Sequence, residues 1–168
     1  LYFKSFFNFE LLQKLVAAFI PTGILGLALS HVIKTYLIGN ELVVLASLFL
    51  GGIVLIAFER WHGAREDAIP ELPVEALTYR QAVLVGLAQA VAIIPGVSRS
   101  GATIVGGLAL GISRATIVEF SFLLAVPTML AATGLSLLKT NTSFTSHEWL
   151  ALAVGFVVSF LVAWPSVK

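Results

Sequence analysis

Long stretches without a charged side chain limit most strongly how this chain can fold. Residues 42–58 are seventeen consecutive uncharged residues, and about 17 residues is the lower limit for a helix that crosses a bilayer. Further apolar segments lie at 15–30, 115–138 and 148–164. Charged residues make up 11% of the chain, whereas soluble domains carry about 25%. The sequence therefore predicts an all-α, polytopic membrane protein, with residues 1–168 as a single transmembrane domain that is incomplete at both ends.

The net charge and the cysteine content exclude several kinds of partner and site. The formal net charge of +1 gives no indication of an acidic partner, and no nucleic-acid partner is expected. The chain has no cysteine, which excludes disulfides and thiolate metal sites. His31, His62 and His147 show no metal-ligand spacing, and we interpret them as surface residues.

A polar motif, PGVSRSGAT at residues 95–103, interrupts the apolar segment 82–112. Its Arg99 would lie at bilayer depth, where a charge costs about 2.5–3.5 kcal/mol and marks a functional site by default. The Pro-Gly pair ends one helix, and Ser98 or Ser100 can cap the next. Backbone N–H groups at a helix start, next to a guanidinium group, favour phosphate binding.

The apolar pieces that flank the motif, 81–94 and 101–112, are each too short to cross a bilayer. They form either one broken span or a re-entrant hairpin over residues 78–114. The positive-inside rule favours the hairpin, because it places seven basic residues on one face and two on the other, against six and three for a full span. The seven are Lys4, Lys14, Arg60, Arg65, Arg80, Arg114 and Lys168, and the two are Lys34 and Lys139. The polar loop 60–78 is then cytoplasmic, and the motif lies at the hairpin tip in a polar cavity.

Several stretches resemble the bacterial undecaprenyl-diphosphate phosphatases, the bacitracin-resistance membrane phosphatases. They are GLAQA at 86–90 leading into the motif, FSFLLAVP at 120–127, and GGIVLIAFER at 51–60. The resemblance implies an inverted-repeat fold with a re-entrant hairpin in each repeat, of which this chain holds the second half and part of the first. It implies hydrolysis of undecaprenyl diphosphate to undecaprenyl phosphate and inorganic phosphate, which recycles the lipid carrier of peptidoglycan synthesis in the bacterial cell wall.

The same resemblance implies a location, partners and site residues. The protein is expected in the bacterial plasma (inner) membrane, with a cavity that opens to the outer face; a homodimer is left open. The implied catalytic residues are Ser98, Arg99, Ser100 and Thr103, with Arg99 holding the diphosphate. Predicted substrate contacts also include Gly96, Gly101 and Gln89. For Gln89, a hydrogen bond between helices is an equal alternative.

The family uses a divalent cation, Mg²⁺ or Ca²⁺, but its ligands cannot be assigned in this chain. The family's first signature, Glu-x-x-x-Glu followed by Pro-x-Ser-Ser-x-Gly-His, is not found here. We expect it, together with the nucleophile or general base, upstream of Leu1. No acid or histidine lies between Arg80 and Arg114 that could activate a serine of the motif.

Purely structural roles for the motif residues, and a second class of function, remain as alternatives at this point. The serines of the motif could serve only as helix caps, and Arg99 could pair structurally with Glu119, whose own role the sequence leaves open. Broken helices in inverted repeats also build secondary transporters. The alternative function is therefore a transporter or flippase for an anionic or lipid-phosphate substrate, which would need no activating carboxylate.

Overall fold

A computed structural model of the chain describes residues 8–63, 69–139 and 145–166, and every regular element in these ranges is helical. The helices are α1 (Phe9–Ala28), α2 (Ser30–Val32), which runs into a π-helical turn (Ile33–Leu37), α3 (Glu41–His62), α4 (Tyr79–Ala90), α5 (Arg99–Ala109), α6 (Arg114–Lys139) and α7 (Ser146–Ser166). A 3₁₀ turn (Val74–Ala76) precedes α4, and another (Val91–Ile93) follows it. Within the described ranges, α1, α3, α6 and α7 are long and apolar enough to cross a membrane. The prediction of an all-α, multi-pass membrane protein is confirmed.

Contacts divide the chain into two units, Leu1–Ala131 and Ala132–Lys168. The first unit holds α1 to α5 and the first part of α6, and the second holds the remainder of α6 and α7. In the second unit, α7 begins with a reciprocal cap: the backbone N–H of Thr145 donates to the Glu148 carboxylate at 2.7 Å, and the backbone N–H of Glu148 donates to the Thr145 hydroxyl at 3.4 Å. The single domain over residues 1–168 stays a prediction.

Helices α1 and α4 lie side by side and run in the same direction. Tyr79, at the start of α4, donates its hydroxyl to Gln13 of α1 at 2.7 Å. Two turns further along, the hydroxyl of Thr22 donates to the carbonyl of Gly86, also at 2.7 Å. The two backbones are in contact at Gly86 and Ala18: a Cβ atom added at Gly86 would lie 1.9 Å from the carbonyl oxygen of Ala18. Small residues permit this close approach between membrane helices.

Helices α4 and α5 are the two short helices that the sequence predicts on either side of the motif. Each is shorter than a membrane span. They pack against each other at Gly106, where an added Cβ would lie 2.4 Å from the Cβ of Ala88. Helix α6 then runs back along α5, since Gly107 of α5 meets Ile117 early in α6 and Arg99 of α5 meets Thr128 later in α6. The core between these helices contains the buried apolar side chains of Leu108, Phe120 and Leu124.

The end of α3 and the beginning of α6 meet at one end of this unit. Arg114 donates to both carboxylate oxygens of Glu59, at 3.0 and 2.8 Å. The hydroxyl of Thr116 donates to the carbonyl of Leu72, which precedes α4. Ser113 caps the start of α6, accepting from the N–H of Thr116 at 3.4 Å. The entry to α4 and the exit from α5 therefore lie close together, as in a helical hairpin.

Two polar side chains, those of Lys14 and His62, are buried although the sequence analysis did not predict it. His62 is 7% exposed and stacks on Phe58, with ring centroids 5.0 Å apart. The interpretation of His62 as a surface residue was wrong, because the last turn of α3 packs this ring inward. Lys14 is 3% exposed, and its ammonium donates to Glu10 at 2.6 Å and to the carbonyl of Glu75 at 2.7 Å. These partners compensate for the cost of burying the charge.

Candidate active site

The motif opens helix α5, and Ser98 is its N-cap. Ser98 has extended backbone dihedrals, and its side chain accepts from the N–H of Gly101 at 3.1 Å. Its carbonyl accepts from the N–H of Ala102 at 2.9 Å. The first N–H groups of a helix have no acceptor within the helix, so those of Arg99 and Ser100 are left for an external anion. The expectation that Ser98 or Ser100 caps this helix is confirmed for Ser98.

Gly96 lies in the turn before α5, and its backbone conformation requires glycine. Its φ of +94° lies in the left-handed region that side chains disfavour. A Cβ there would lie 2.6 Å from the carbonyl oxygen of Val44 in α3. The turn is therefore packed directly against α3, which gives Gly96 a structural reason to be glycine. Its contact with substrate stays a prediction.

Arg99 is the first residue of α5, and its side chain reaches α6. Its Nη1 donates to the hydroxyl of Thr128 at 3.4 Å. The ion pairs among the described residues are Lys14 with Glu10 and Arg114 with Glu59, so this part of the chain supplies no carboxylate partner for Arg99. Since a guanidinium group carries five N–H donors, one contact with Thr128 leaves donors for an anion. Arg99 therefore has further N–H donors that an anion could accept from.

Ser98 and Ser100 present two hydroxyls at the same helix start. Their Oγ atoms are 3.4 Å apart, and both residues are exposed. They line one end of a groove of about 630 Å³ between α3 and α5. Apolar side chains such as Leu55 and Ile104 form its walls, and Glu59 and Arg114 lie among its lining residues as well. The groove therefore combines two serine hydroxyls with apolar walls and with the charged side chains of Glu59, Arg60 and Arg114.

The structure does not bring every predicted site residue to this helix start. Thr103 is fully buried, donates to the carbonyl of Arg99 at 2.8 Å, and lies 2.9 Å from the hydroxyl of Ser121 in α6. Gln89 is 2% exposed, and its amide donates to Thr22 of α1 at 3.3 Å. The contact of Gln89 is the hydrogen bond between helices that the sequence left as the alternative. Gly101 lies within the first turn of α5, where a Cβ would crowd the Ser98 side chain at 3.1 Å. The predicted catalytic role of Thr103, and the predicted substrate contacts of Gln89 and Gly101, stay predictions.

Two residues of α6 next to the motif were not predicted from sequence. Ser121 contacts Thr103, and Thr128 contacts Arg99. Their spacing of seven residues, two helical turns, places both on the face of α6 that meets α5. The spacing of these two hydroxyl residues in an apolar helix is the sequence feature that could have predicted their contact with α5.

The residues of the motif do not by themselves form a cation site. No group of three histidine, aspartate or glutamate side chains that could hold a metal ion occurs in the described ranges. Mg²⁺ and Ca²⁺ prefer several carboxylate or carbonyl oxygens, whereas this motif offers serine hydroxyls beside the positive charge of Arg99. The donor set of the motif therefore fits an anion and not a divalent cation.

Comparison with known proteins decides the family. The family described as Bacitracin resistance protein BacA matches residues 3–168. The chain belongs to this family. The BacA family is the family that the motif and its flanking segments resemble, so that expectation is confirmed.

Individual BacA-like relatives are similar over most or all of the chain. A protein of Aquifex aeolicus named undecaprenyl-diphosphatase is 47% identical over 100% of this chain and 65% of its own length. Another with that name from a Sulfurihydrogenibium species is 45% identical over 100% of this chain and 65% of its own length. A third, from Novosphingobium aromaticivorans, is 48% identical over 93% of this chain and 57% of its own length. The chain thus spans just under two thirds of the relatives that it matches.

Proposed function

We propose that this protein takes part in the hydrolysis of undecaprenyl diphosphate to undecaprenyl phosphate and inorganic phosphate. The observation that carries the proposal is the start of α5, where the hydroxyls of Ser98 and Ser100 line a groove and Arg99, the residue between them, extends its guanidinium group towards α6. The relatives named undecaprenyl-diphosphatase support the same reaction. They do not favour the transporter alternative. Recycling of the lipid carrier of peptidoglycan synthesis, and with it bacitracin resistance, would follow from this activity.

Under this proposal the groups at the helix start have distinct tasks. Phosphoryl transfer depends mainly on positioning and on neutralising charge at the non-bridging oxygens. Arg99 and the N–H groups of the first turn of α5 would bind those oxygens. The bond between the terminal phosphorus and the bridging oxygen breaks, and that oxygen leaves with undecaprenyl phosphate. Water supplies the new oxygen on phosphorus, either by direct attack or by hydrolysing a phosphate that a serine has first accepted. In both cases the proton of the attacking oxygen must pass to a base that the motif does not contain.

A divalent cation, Mg²⁺ or Ca²⁺, is part of the proposal, held by carboxylates outside the motif. Removing the metal with a chelator should abolish phosphate release from undecaprenyl diphosphate by the purified protein, and adding Mg²⁺ or Ca²⁺ should restore it. The reason is that a hard cation neutralises phosphate charge that Arg99 alone does not cover. Phosphate release that continues unchanged in excess chelator would contradict the requirement for a metal.

We further propose that the α4–α5 hairpin is re-entrant, with residues 60–78 on the cytoplasmic side of the bacterial inner membrane. The site would then face a cavity open to the outer side, within an inverted-repeat fold. The pairing of Arg114 with Glu59 and of Thr116 with Leu72 supports this topology, because it joins the entry and exit of the hairpin at one end. A homodimer stays a prediction.

Single cysteines test the topology in this cysteine-free chain. Ala76→Cys, Ala115→Cys and Thr35→Cys change exposed residues before α4, at the start of α6 and between α1 and α3. A membrane-impermeant thiol reagent should label positions 76 and 115 from the cytoplasmic face, and position 35 from the opposite face. Labelling of position 115 from the face opposite to position 76 would replace the hairpin with a full span.

A further inference from the structure

We propose that Thr128 of α6 is a positioning residue for Arg99, an inference that rests on the proposed function. Thr128 is 8% exposed, and its hydroxyl lies 3.4 Å from Nη1 of Arg99. The two residues are 29 positions apart in the sequence, so the contact is made by packing of α5 against α6. It holds one side of the guanidinium group against a buried hydroxyl, while Arg99 itself remains exposed.

The hydrogen-bond polarity at Thr128 suits this task. Its Oγ1 lies 2.9 Å from the carbonyl oxygens of both Leu124 and Ala125, and its one proton is donated there. Towards Arg99 the hydroxyl can therefore only accept, and a guanidinium group can only donate. The contact has a fixed direction and cannot be reversed by rotating the hydroxyl.

Thr128 and Ser121 both bring hydroxyl groups of α6 to α5. Further towards the start of α6, Ser121 supports α5 through Thr103 at 2.9 Å. These two contacts hold the first two turns of α5 against α6. Only the contact at Thr128 reaches the side chain that would bind the diphosphate.

The task of Thr128 is to restrict the rotamers of a long side chain. An arginine on an exposed helix start samples many conformations, and ordering it at the moment of binding costs free energy. Contact with a buried acceptor reduces that cost, because it restricts the guanidinium group before the substrate binds. Thr128 would then act on the substrate only through Arg99.

The test is a set of variants measured for phosphate release from undecaprenyl diphosphate by the purified protein. Thr128→Val keeps the shape and removes the acceptor, and it should lower kcat/KM about tenfold, the effect of losing one hydrogen bond to a charged group. Thr128→Ser keeps the acceptor and should retain nearly full activity. Thr133→Val, the same change at an exposed threonine of α6, is the matched control and should leave activity unchanged. If Thr128→Val does not fold, Thr128→Ala is measured in its place.

A double-mutant cycle with Arg99→Lys separates positioning from general support of the fold. If Thr128 acts through the guanidinium group, Thr128→Val should have little further effect in the Arg99→Lys protein, so that the two effects are not additive. Inhibition by inorganic diphosphate should weaken in Thr128→Val by a similar factor, while thermal unfolding is unchanged. Full activity of Thr128→Val, failure of Thr128→Ser to rescue, or additive effects in the cycle would each overturn the proposal. Loss of activity in Arg99→Ala tests the proposed function separately.

Discussion

Replacing Arg99 with alanine should reduce phosphate release from undecaprenyl diphosphate by about 10²–10³-fold, the usual cost of removing one preorganised charge-stabilising donor. Arg99 lies at the start of α5 next to two helix N–H groups, and no carboxylate in the described part of the chain forms an ion pair with it. Its loss would leave the non-bridging oxygens with hydroxyl and backbone donors alone. The measurement is phosphate release by the purified variant at saturating and at low substrate.

Two further variants define what Arg99 supplies. Arg99→Lys keeps the charge but loses the planar, two-pronged donor set, so it should recover less than about a tenth of the wild-type rate. Arg80→Ala removes another exposed arginine and should have no comparable effect. Near-normal turnover by a folded Arg99→Ala protein would refute the assignment of Arg99 to the diphosphate.

Replacing Gly86 with alanine should destabilise the protein by about 3 kcal/mol, the upper range for forcing a methyl group into packed structure. The new Cβ would lie 1.9 Å from the carbonyl oxygen of Ala18 and 2.7 Å from its carbonyl carbon. Both atoms belong to the backbone of α1 and cannot rotate away, so α1 and α4 must separate. Separation would also break the hydrogen bond from Thr22 to the Gly86 carbonyl. Thermal unfolding in detergent measures the change.

The matched control for Gly86 is Gly52→Ala in α3. Nothing among the described residues lies within 4 Å of a Cβ added at Gly52, and alanine is the better helix former by about 1 kcal/mol. Gly52→Ala should therefore leave the unfolding temperature unchanged or raise it. Equal unfolding temperatures for the two variants would show that α1 and α4 are not in backbone contact in the membrane protein.

Apolar run length predicts most of the helices, because a bilayer imposes a minimum span and offers the backbone no other partner. The run at 42–58 became α3, which extends one residue before it and four after it, and the run at 115–138 became α6, which is one residue longer at each end. The two short pieces around the motif became α4 and α5. Ser98 as a cap was predictable because capping depends on local chemistry near one residue.

Contacts between helices were beyond prediction from one sequence. The parallel pairing of α1 with α4 and the contact of Arg99 with Thr128 depend on how helices distant in sequence pack. Gln89 could have faced a cavity or a neighbouring helix, and periodicity does not distinguish the two directions. The burial of His62 depends on ring stacking with Phe58, one turn earlier in the same helix, which composition does not reveal.

The cap at the start of α5 has a consequence for how serine variants of this motif must be interpreted. The Oγ atom of Ser98 accepts a hydrogen bond from the N–H of Gly101, and the same oxygen would have to act as the nucleophile in an attack on phosphorus. Capping the helix and attacking phosphorus therefore compete for the same oxygen atom of Ser98. Ser100, the second residue of α5, does not accept from the N–H of Gly101 and is free of this competition. Because removing a cap alone costs about 1 kcal/mol of helix stability, an inactive Ser98→Ala protein would report a frayed helix start as readily as a missing nucleophile.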